Sequence, residues 1–114
     1  MPIPLCFLVI DTSLATRVVI RAHFNALGYF LDTAWDLESA CDRIDTKLYD
    51  FIIIDKHLVL CPVVEEFKSN SFLNKETPLI HFSSLTDRQA LTFRKPIVKD
   101  DLLRMVTYLE KIKM

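Results

Sequence analysis

Two apolar runs in this chain stop abruptly on an aspartate. Leu5 to Ile10, "LCFLVI", ends at Asp11, and Phe51 to Ile54, "FIII", ends at Asp55. Aspartate is a poor strand residue, so each marks where a strand gives out. The runs are short and almost wholly apolar. That pattern suits strands buried on both faces, as in a parallel sheet covered by helices.

Segments with helical spacing lie between the apolar runs. Ser13 is a suitable N-cap for a helix over residues 14 to 27, with Val19, Ile20, Phe24 and Leu27 as its inward stripe. Gly28, the only glycine, stands where a helix C-terminus favours one. Tyr29 to Ala34 reads as a short strand. Trp35 or Asp36 opens a second helix reaching about Lys47, with Leu37, Ala40, Cys41 and Ile44 inward. After the strand ending at Asp55, Pro62 suits the first turn of a third helix running to about Lys68. "SNSFLNKET" reads as a loop, and "LIHFSS" after Pro78 as a fourth strand. "LTDRQAL" is at most a stub of helix, and "TFRKPI" is a fifth strand. From about Lys99 a strongly amphipathic helix carries Leu102, Leu103, Val106, Leu109 and Ile112 on one stripe.

Strands and helices alternate about five times, which predicts an α/β fold: a doubly wound, five-stranded parallel sheet in a single domain spanning 1–114. In such folds the strand C-termini gather at one edge, and ligands bind there. Asp11, Asp55 and Ser83 each close a strand and belong to that edge.

Composition narrows the function classes. The net charge is −1, so no basic surface points to nucleic acid or to a membrane. No apolar run approaches the length of a membrane span. The apolar N-terminus lacks the basic region and cleavage site of a secretory signal, so it reads as a strand. Cys6, Cys41 and Cys61 are widely separated, with no Cys-x-x-Cys pair, and read as buried cytoplasmic thiols. A lone glycine leaves almost no material for a nucleotide or flavin phosphate loop, which weighs against a small flavodoxin-like enzyme. His57 without partner residues reads as an exposed loop histidine, His81 as a strand residue, and Glu65 and Glu66 as ordinary first-turn helix residues.

"FLVID" with Asp11, "FIIID" with Asp55, "PLIHFSS" with Ser83 and "FRKP" with Lys95 and Pro96 occur in an order that resembles the receiver domains of two-component response regulators. The resemblance covers nearly the whole chain and implies the flavodoxin-like receiver topology. It implies that Asp55 is the phosphoacceptor and that Ser83, or Ser84 in its stead, bonds the phosphoryl oxygens. Lys95 would pair with the acceptor and then with the phosphoryl group. Asp11, Asp55 and the backbone carbonyl of His57 would hold Mg2+. The implied partners are a histidine kinase or phosphotransfer domain, with a fused kinase or output domain. The implied role is cytoplasmic signalling, not enzymatic turnover.

The sequence also departs from that family. The usual pair of acids after the first strand is here Asp11-Thr12, so magnesium binding is expected to be weak or absent. Val59 and Val63 stand where the family has a proline and a glycine. The stretch from Ser83 to Lys95 is about ten residues shorter than the family's usual spacing, beyond ordinary loop variation, which implies a shortened or missing fourth helix. Thr92 occupies the position of the aromatic switch residue. Two functions follow from these features: a phosphoacceptor receiver with impaired chemistry, or a pseudo-receiver that docks partners without phosphorylation.

Overall fold

The computed structural model describes residues 5–55, 58–83 and 92–94, with side chains through His81. The elements are β1 (Cys6–Ile10), α1 (Leu14–Leu27), β2 (Phe30–Ala34), α2 (Leu37–Thr46), β3 (Phe51–Asp55), α3 (Cys61–Ser69), β4 (Leu79–Ser83) and the three-residue β5 (Thr92–Arg94). The sheet order is β2-β1-β3-β4-β5, and every pairing is parallel. The expected shortening of the fourth helix and the amphipathic C-terminal helix fall outside the described residues.

Local chemistry sets the helix boundaries. The Ser13 hydroxyl accepts from the Thr16 N–H and starts α1. Gly28 ends it in the left-handed region at φ 82°. A Cβ there would meet nothing within 4 Å, so a side chain would cost backbone conformation and no steric clash. Asp36 and Ser39 form a reciprocal capping box at the start of α2.

The core has two halves, one on each face of the sheet. Phe7, Val9, Phe51 and Ile53 point toward α1 and pack with Ile20 and Phe24. Leu8, Ile10, Ile52 and Ile54 point to the other face and pack with Ala40 and Ile44 of α2 and Val64 of α3. The continuous apolar runs of β1 and β3 therefore serve both halves. Two inward assignments differ from this packing: Val19 and Leu37 are 43% and 40% exposed. Each adjoins or caps the stripe that does the packing, and burial goes to Ile20 and to Ala40 instead.

The segment read as a loop holds a buried polar core of its own. Asn74 is fully buried; its amide donates to the carbonyls of Ile44 and Lys47 at 2.6 and 2.7 Å. Its oxygen accepts from the Tyr49 N–H and the Thr77 hydroxyl. One side chain thus satisfies carbonyls at the end of α2 and anchors the approach to β3.

Candidate functional site

The site edge is built by the change of direction in the strand order. From β1 the chain moves to β2 on one side, then returns through α2 to β3 on the other. The connections leaving the neighbouring strands β1 and β3 therefore run in opposite directions, and it is at the C-termini of such a strand pair that doubly wound sheets place their binding crevice. Ile10 pairs with Ile54, so Asp11 and Asp55 are the next residues on neighbouring strands. Both are buried, with 1% and 9% of their surface exposed.

Asp11 is tightly held. Its Oδ1 accepts from the Ser13 N–H at 2.7 Å, and its own N–H donates to the Ala34 carbonyl. Its carbonyl accepts from the Arg17 guanidinium at 2.8 Å. Arg17 also lies 5.9 Å from the centre of the exposed Trp35 ring. Trp35 is thus tied to the rim of the site by a cation–π contact. Thr12, next to Asp11, is exposed.

Asp55 is the last residue of β3 and pairs with Phe82 of β4, so Ser83, one residue further, closes β4 beside it. The Asp55 carbonyl accepts from the Leu58 N–H, turning the chain toward α3. Thr92 pairs with His81 in the register of β5. His57 and Lys95 lie outside the described residues. The arrangement therefore brings Asp11, Asp55 and the end of β4 to one edge. Two adjacent carboxylates form a hard oxygen donor set, and such a set fits a magnesium ion.

A second cluster was not legible as one from the sequence. Cys61 and Glu65 lie one helical turn apart on α3, and His81 faces them from β4. The Cys61 thiol donates to Glu65 Oε1 at 3.5 Å, and His81 Nε2 lies 2.5 Å from the same oxygen. Burial, with the Glu65 carboxylate next in effect, pushes the Cys61 thiol up to about 12. The available signal was the Cys-x-x-x-Glu spacing on one helix face, together with the alternation that turns His81 to the side of Leu79.

No family model matches the chain, and no curated protein is similar to it in sequence. Solved structures are similar in fold. The chemotaxis response regulator CheY4 of Vibrio cholerae superposes with a TM-score of 0.81 at 19% identity, covering 94% of this chain and 99% of that one. The receiver domain of sensor histidine kinase PA1611 from Pseudomonas aeruginosa, solved with magnesium in its active site cleft, gives 0.78 at 18% identity over 94% and 98%. The Francisella response regulator 1452 receiver domain gives 0.76 at 24% identity over 96% and 99%. The fold of this chain is therefore that of response-regulator receiver domains.

Proposed function

We propose that this chain is a receiver domain of two-component signalling in which Asp55 accepts a phosphoryl group slowly, because Thr12 weakens its metal site. The observation that carries the proposal is the pair Asp11 and Asp55, buried side by side at the crevice of a receiver fold. An oxygen of Asp55 forms the new bond to phosphorus as the bond from phosphorus to the donor's leaving group breaks. The donor is the phosphohistidine of a histidine kinase or phosphotransfer domain. A fused kinase accords with the likeness to the receiver of a sensor histidine kinase.

Attack on an anion by a carboxylate needs positive charge nearby. Magnesium, when bound, supplies part of that charge to the phosphoryl oxygens. Asp11 and Asp55 would hold it, with the carbonyl of His57. Asp11 is kept ready by its bond from Ser13, and the neutral Thr12 adds little. Lys95 supplies the remaining charge as an ammonium, and Ser83 bonds the transferred oxygens. All three cysteines are free, which accords with a cytoplasmic setting, and no described helix is long and apolar enough to cross a membrane.

Thr12 itself favours a second reading, a pseudo-receiver that binds partners without phosphorylation. Intact-mass analysis after treatment with acetyl phosphate and magnesium separates the two. Slow addition of one phosphoryl group to the wild type, loss of that addition in Asp55→Asn, and faster addition in Thr12→Asp are expected. No modification of either wild type or Thr12→Asp would reject the phosphoacceptor and leave the pseudo-receiver.

A further inference from the structure

We propose that Cys61, Glu65 and His81 form a binding site for a thiophilic divalent transition metal such as zinc, on the α3 side of β4. The inference does not depend on the receiver reading, because none of these residues belongs to the Asp11–Asp55 crevice.

Three elements of geometry support the site. Cys61 and Glu65 project from one face of α3, four residues apart. His81 lies on β4 with the same facing as Leu79, which packs in the α2–α3 half of the core. Sγ, Oε1 and Nε2 of the three residues all lie within 4.8 Å of one another. Metal–ligand bonds of about 2.0–2.3 Å in a tetrahedron require ligand atoms roughly 3.5 Å apart. The shifts needed are on the order of 1 Å, within reach of side-chain rotation by Glu65 and His81.

The donor types select the metal. Sulfur and imidazole nitrogen suit zinc and cobalt(II) and are poor ligands for magnesium. Three protein ligands leave a fourth position for water or an added ligand. Access is available, since the Glu65 and His81 side chains are 41% and 29% exposed while Cys61 is buried beneath them. In the metal-free protein, Glu65 Oε1 holds both neighbours by hydrogen bonds. On binding, the Cys61 thiol loses its proton to solvent, His81 coordinates through Nε2 with its proton on Nδ1, and the carboxylate turns from both donors to the ion.

Cobalt(II) titration of the full chain tests the site, because a cobalt–thiolate bond gives a charge-transfer absorption. The background variant Cys6→Ser/Cys41→Ser leaves Cys61 as the only thiol. One equivalent of cobalt should produce the band in both proteins, and zinc should displace it. Cys61→Ser should abolish the band. Glu65→Gln and His81→Gln, both at partly exposed positions, should each weaken cobalt binding at least tenfold, with unchanged circular dichroism confirming the fold. Absence of the band in the wild type, its survival in Cys61→Ser, or affinity unchanged in both surface variants would overturn the proposal.

Discussion

At the scale of single residues, polar side chains in this molecule are placed to hold something else still. Asp32 on β2 is an example. Its Oδ2 accepts from the Tyr49 hydroxyl at 2.8 Å and from Lys47 Nζ at 3.0 Å. Partial burial alone would raise its pKa, but the hydrogen bonds from Tyr49 and Lys47 outweigh that and hold it below the ordinary 3.8. A carboxyl whose pKa is lowered by folding stabilises the native state above its unfolded pKa. That contribution fades as the pH falls through the lowered folded value. Asp32→Asn should therefore be less stable than the wild type at neutral pH, by on the order of 1 kcal/mol or less after solvent screening. The gap should close below pH 3.8. Urea unfolding of both proteins across that range checks it, and a gap that persists unchanged in acid would contradict the assignment.

At the scale of elements, what was legible followed the strength of local signals. The Ser13 cap, the Gly28 stop and the apolar runs of β1 and β3 each carry their own physical cause within a few residues, and the structure has them as read. Asp11 and Asp55 were legible for the same reason, since an acid closing an apolar run is a local feature. Val19 and Leu37 were not, because a helical stripe about 100° wide leaves its flanking positions ambiguous until the sheet beneath is known. The partnership of Cys61 and Glu65 with His81 depends on how α3 lies over β4, which no local pattern states. The buried role of Asn74 was hidden by a composition typical of loops. That role predicts its cost of removal. Asn74→Ala would strip donors from the Ile44 and Lys47 carbonyls and an acceptor from Tyr49 and Thr77. A loss of about 3 kcal/mol is expected, read from the denaturation midpoint. A loss below about 1 kcal/mol would mean that water takes over its bonds.

At the scale of the whole molecule, any ligand that binds only the folded state raises its melting temperature. Magnesium should therefore shift the melting of the wild type little, and that of Thr12→Asp more, provided that the deficit lies in the missing second acid. Equal shifts would show that Thr12 is no handicap, and thermal melting with and without excess magnesium decides. The Asn74 cluster has a counterpart consequence in exchange kinetics. The amide proton of Tyr49 is bound to the Asn74 oxygen, which is itself locked between α2 and Thr77. That proton should therefore exchange slowly for deuterium, at a rate set by the opening of the junction where the end of α2, the approach to β3 and the Asn74 loop meet.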